Sequence, residues 1–80
     1  MMKYYATVKS NNSVSKWEKI EAKNATQAKR KAGIEFGGGY IGDMILLAEV
    51  HPDFDASRLN DIVYFRKAVL TNARWSKYQS

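Results

Sequence analysis

Two early segments with alternating apolar residues, a stripe of alanines at helical spacing and one apolar run of strand length predict an α+β fold. The expected architecture is an antiparallel sheet of four to five strands with one helix packed on one face, in the order ββαβββ. Lys3 to Lys9 alternates, with Tyr4, Ala6 and Val8 on one side and Tyr5, Thr7 and Lys9 on the other, in a segment rich in strand-forming residues. Ser10 to Ser15 is a polar turn. Trp17 to Lys23 alternates again, turning Ile20 and Ala22 inward and Trp17, Lys19 and Glu21 outward, so the first two strands form a hairpin.

Asn24 offers a helix N-cap and Gln27 a reciprocal partner three residues on, ahead of the helix-favouring run Ala25 to Phe36. Ala25, Ala28, Ala32 and Phe36 fall on one stripe, and such small residues let a helix lie close to a sheet. Gly37-Gly38-Gly39 stops the helix. Asp43 to Val50 reads as a central strand. The stretch from His51 to Asn60 is a longer connection with one helical turn capped by Asp55, and Ile62 to Leu70 returns to strand character. Thr71-Asn72 makes a turn before a last short strand over Ala73 to Tyr78.

The 80 residues form a single domain, 1–80, because a chain this short has one core and little spare stability for a deep catalytic cleft. Without cysteine there is no disulfide framework, thiolate metal site or cysteine nucleophile. No apolar run approaches the roughly 20 residues of a membrane-spanning helix, and Met1 to Tyr5 lacks the apolar stretch of a signal peptide, so a cytoplasmic location and no membrane partner are expected.

The net charge of +5 is unevenly spread. Residues 1–31 carry eight basic groups against Glu18 and Glu21, residues 32–63 carry six acidic groups against Arg58, and the tail adds Arg66, Lys67, Arg74 and Lys77. If the fold brings the two ends together, they make one positive face suited to phosphate backbones or an acidic protein patch.

Three patterns suggest chemistry and each has a plainer explanation. Gly37 to Gly42 matches G-x-G-x-x-G, yet here a helix precedes and a strand follows, so the helix dipole points the wrong way for a pyrophosphate. His51, Asp53 and Asp55 are metal-competent types, but Pro52 and an acidic turn account for them equally well. His51 with Ser57 and Asp61 supplies the types of a hydrolytic triad without the strained elbow or oxyanion context. No enzyme, cofactor or metal is expected.

The stronger pattern is a ring two positions from a cation: Trp17 with Lys19, Tyr64 with Arg66, and Trp75 with Lys77. Two positions along a strand means one face, and such a face stacks bases or Arg groups while its cations meet phosphate or carboxylate. These pairs are expected to form one platform, beside a ridge made by Lys29, Arg30 and Lys31 on the helix. The alternative is that the rings pack inward and the lysines are simply solvated.

A second strand ending Ile20-Glu21-Ala22, a helix reading Thr26-Gln27-Ala28-Lys29-Arg30-Lys31-Ala32, and three strands with a late Trp resemble the small phage-encoded anti-CRISPR proteins of the type I-F class. Element order covers most of the chain, and residue likeness is confined to about residues 20–32. The resemblance implies a non-catalytic phage or mobile-element inhibitor that docks on the protein backbone of a CRISPR surveillance complex, a host ribonucleoprotein. Gln27, Lys29 and Arg30 are then contact residues. The Gly-rich loop at 37–42 and the connection at 51–61 depart from that pattern. A competing expectation is a nucleic-acid-binding module, for DNA or RNA, similar to the sheet-plus-helix domains at the start of some phage integrases, which usually have three strands before the helix. Either protein is a monomer or a homodimer.

Overall fold

A computed structural model describes residues 2–10, 13–14, 16–36, 43–55, 57–58, 63–68 and 74–79. The elements are β1 (Lys3–Ser10), β2 (Ser13–Val14), β3 (Glu18–Ile20), α1 (Ala25–Phe36), β4 (Met44–Val50), β5 (Val63–Ala68) and β6 (Ser76–Gln79). All strand pairs are antiparallel, and the sheet runs β2-β1-β4-β5-β6 with β3 also on β1. Because β4 occupies one side of β1 over Lys3 to Lys9, β2 and β3 share the other side and act as two pieces of one edge strand. The α+β expectation therefore holds, with five sheet positions and one helix. The chain segments before the helix fill two of those positions.

The break in the edge strand is a change of register. Lys9 faces Val14, whereas Ala6 faces Glu18, so four steps along the edge match three along β1. One residue is extra, as in a β-bulge. Within this bend the buried Thr7 hydroxyl donates to the Lys16 carbonyl at 3.2 Å. Side chains alternate with period two, so the shift exchanges the faces of everything beyond it. Had the β2 register continued, Trp17 would lie opposite Ala6 on the helix side and Ile20 would face away. Instead Ile20 lies opposite Tyr4 in the helix-side core, and Trp17 packs on the other face.

Two apolar clusters result. Tyr4, Ala6, Ile20, Ile45 and Leu47 meet Ala28 and Ala32 of α1 on the helix side, with Ala22, Ala25, Phe36, Phe65 and Trp75 packed around them. On the far side Leu46, Ala48 and Val50 are buried beneath Tyr5, Trp17 and Phe54. Strand β4 is buried on both faces, which is why its sequence is apolar without alternating.

The helix stripe is as the spacing predicts: Ala28 and Ala32 are fully buried, and Ala25 and Phe36 pack at its ends. Asn24 caps it, its side-chain oxygen accepting the Gln27 N–H at 2.8 Å. Gln27 reaches back one residue further than in the usual reciprocal box and accepts the Lys23 N–H at 2.7 Å. Gly33 lies mid-helix with nothing within 4 Å of where a Cβ would stand. Gly33→Ala is therefore expected to stabilise the protein by about 0.5–1 kcal/mol, read as a higher urea midpoint at unchanged slope. The Gly37 to Gly42 motif and Asp61 lie outside the described residues.

Strand β3, α1 and β4 form a split βαβ unit, since β3 and β4 both run antiparallel to β1, which lies between them. The helix crosses over β1 and leaves β5 and β6 extending beyond it.

Candidate binding surfaces

The pairings assign each ring and cation to a face. Even-numbered β1 residues share the helix side with Ile45, Leu47, Phe65 and Lys77, because cross-strand partners lie on one face. Tyr5 faces Lys19 and Ala48, and Leu46 faces Arg66, on the opposite side. Trp17 and Lys19 thus share the far face with Arg66, and Tyr64 occupies a register position there opposite Ala48. Trp75 packs against the helix-side core, and Lys77 lies opposite Phe65 on that side.

The expectation of one platform is therefore corrected. The two indoles lie on opposite faces of the sheet, and the cations divide with them. Trp17 with Lys19 and Trp75 with Lys77 do each share a face, but the bulge and the pairing of distant strands decide which face.

On the helix side the structure gathers Lys29, Lys67 and Lys77 with Trp75 and adds Phe65, a ring that the ring-and-cation spacing does not single out. The Lys29 ammonium lies 4.2 Å from the Phe65 ring centroid, a cation–π contact. Lys77 is the cross-strand partner of Phe65, Lys67 faces Ile45 one pair along, and continuing the same register sets Trp75 beside Lys67. Phe65 and Trp75 are both half-buried, so each ring keeps an accessible portion next to three cations. Phe65 and Lys67 alternate with Arg66 through a segment whose face could not be assigned before its partner strand was known.

The far face carries Lys3, Lys9, Lys19 and Arg66 around Tyr5 and Trp17. Its centre is filled by Trp17, Tyr5 and Phe54 lying over Leu46, Ala48 and Val50, and Lys19 pairs with Glu21 at 3.5 Å. Here the rings serve mainly as a lid on a second core.

The helix ridge is similarly occupied. Lys31 donates from its ammonium to the Glu21 carbonyl, Lys29 rests on Phe65, and Gln27 is used in the cap. Of the residues that the anti-CRISPR resemblance implies as contacts, Arg30 is the exposed one.

The His51, Asp53 and Asp55 segment folds on itself. Asp53 N–H approaches His51 Nδ1 at 3.4 Å, and Asp53 Oδ2 lies 3.7 Å from the same nitrogen. Asp55 accepts the Ser57 N–H at 3.0 Å, forming the expected capped turn over Ser57 and Arg58. This backbone hydrogen bond, with help from the Ser57 side chain, holds the Asp55 carboxyl below the usual aspartate range. Among the described residues no three His, Asp or Glu side chains gather as a metal site would require.

The titrating group in the core is Tyr4. Burial pushes its hydroxyl above the ordinary tyrosine value, and the neighbouring Glu49 carboxylate adds to this by its charge and by accepting a hydrogen bond. A raised folded value means that Tyr4 contributes stability fully below the unfolded tyrosine value of about 10, and that this is lost as pH rises through the folded value. Tyr4→Phe is expected to flatten the alkaline fall in stability relative to the parent protein, measured by urea unfolding at pH 8 and at higher pH.

No family model, curated protein or solved structure matches the chain. The likeness to the anti-CRISPR proteins thus rests on residues 20–32 and on element order. Among the described residues no helix is long and apolar enough to cross a membrane.

Proposed function

We propose that this protein is a non-catalytic, cytoplasmic nucleic-acid-binding module, and that its contact surface is the helix-side overhang of β5 and β6. The observation that carries this is the clustering of Lys29, Lys67 and Lys77 around the half-buried rings of Phe65 and Trp75. Clustered cations attract phosphates, and partly exposed rings offer stacking surfaces that tolerate any base, worth about 1–3 kcal/mol per base. Both features suit a single strand with unstacked bases.

A second reading keeps the protein as a phage or mobile-element inhibitor of a CRISPR surveillance complex. Its support is the resemblance of residues 20–32, with exposed Arg30 as the contact. The internal duties of Gln27 and Lys31 favour the first reading.

Titrating a single-stranded oligonucleotide into Trp17→Phe, in which Trp75 is the remaining indole, tests the proposal. Binding should quench Trp75. With three phosphates neutralised and a slope of about −0.7 per contact, affinity should fall by roughly 20-fold between 50 and 200 mM salt. The double substitution Lys67→Glu with Lys77→Glu should weaken binding by at least about tenfold and leave the fold intact, because Lys77 is exposed and Lys67 half-exposed. Absence of salt-sensitive binding to any oligonucleotide overturns the nucleic-acid reading. Binding of Arg30-dependent character to a surveillance complex in the same experiment series would establish the second.

A further inference from the structure

A different surface points to a partner by its own chemistry. Among the described residues strand β3 is an edge, paired with β1 alone, and between it and the C-terminal half of α1 runs a groove of about 500 Å³. Ile20 and Ile34 line this groove, and Ile34 is 79% exposed, the most exposed large apolar side chain among the described residues. Unpaired strand edges are templates for another strand.

We propose that the β3 edge is a self-association surface, and that it pairs antiparallel with β3 of a second copy of this chain, centred on Ile20. The register follows from charge. In a two-fold antiparallel pair the residue on the axis faces its own copy, and its neighbours face each other in exchange. Centring on Glu18, Lys19 or Glu21 sets like charges directly opposite, which is destabilising. Centring on Ile20 instead sets Ile20 against Ile20 and each Lys19 against the Glu21 of the other copy. Lys19 and Glu21 already pair within one chain at 3.5 Å, and both remain exposed, at 53% and 84%. The dimer closes these two pairs into a ring of four alternating charges, on the far face of the sheet.

The same two-fold brings the helix sides together. The Ile20 side chains meet beneath the two α1 helices, and each exposed Ile34 borders the merged groove. Lys31, which holds the Glu21 carbonyl, anchors the helix beside the strand end and keeps this apolar wall in place. The result is a continuous ten-position sheet. The helix-side patch on β5 and β6 lies at the outer ends, so the dimer carries two copies of it facing away from the axis.

Sedimentation velocity tests this over roughly 10 μM to 1 mM, where a contact built from a short strand and two ion pairs becomes half-occupied. Lys19→Glu and Glu21→Lys should each weaken dimerisation about tenfold or more, by facing like charges across the axis. The combined Lys19→Glu and Glu21→Lys variant should restore it, because exchanging both signs re-creates the pairs. Ile34→Asp, at an exposed position that carries no folding load, should also weaken it. A protein that remains monomeric throughout the range overturns the proposal, as does a dimer indifferent to the single charge reversals or one that the double exchange fails to rescue.

Discussion

Replacing Leu47 with alanine is expected to cost about 2–5 kcal/mol of stability. Leu47 is fully buried in the central strand, between Ala6 of β1 and Phe65 of β5 and in one cluster with Ala28 and Ala32 of the helix. Every wall of the resulting cavity is a hydrogen-bonded strand or a helix already in contact with the sheet, so collapse around the void is restricted. A domain of this length holds only about 4–12 kcal/mol in total, and each lost kcal/mol lowers the melting temperature by about 4–8 °C. Thermal unfolding followed by far-ultraviolet circular dichroism should show a fall of roughly 8–40 °C. A loss under about 1 kcal/mol would mean that the helix-side cluster is not the principal core.

Enlarging Ala28 to leucine is the complementary experiment. Ala28 is fully buried at the helix–sheet contact, where the interaxial gap is set by alanines at positions 28 and 32. An added isopropyl group forces off-rotamer side chains or lifts the helix, at a cost of about 1–3 kcal/mol. Lifting α1 also moves Lys29 away from Phe65, so oligonucleotide affinity should drop together with stability. Chemical denaturation with the Trp75 quenching titration reads both quantities on one variant. Unchanged stability would show that the small-residue stripe does not set the spacing.

The helix stripe was legible because period and composition agree: Ala25, Ala28, Ala32 and Phe36 are the residues that pack, and Asn24 with Gln27 form the cap. Strand β4 was legible for a different reason, since a short run that is apolar on both faces has to be central. The site was legible only in pieces. Trp17 and Lys19 share a face, as do Trp75 and Lys77, because alternation is a property of a single strand. Their division between opposite faces depends on one extra residue between Val14 and Glu18 and on pairing between β1 and β4, some forty residues apart. Neither leaves a mark in local composition. The pairing of Phe65 with Lys67 on one face is hidden for the same reason: Tyr64 and Arg66 are equally plausible partners until β4 fixes which parity turns toward the helix.

The position of β1 in the sheet has a consequence for synthesis. As the nascent chain leaves the ribosome, the hairpin and the helix emerge first, but their shared inner neighbour, residues 44–50, comes later. A chain arrested before Met44 carries Tyr4, Ala6, Ala28 and Ala32 without Ile45 and Leu47, the β4 residues that complete their cluster. The pairing of β1 with β4, which closes the sheet from within, therefore waits on the second half of the chain.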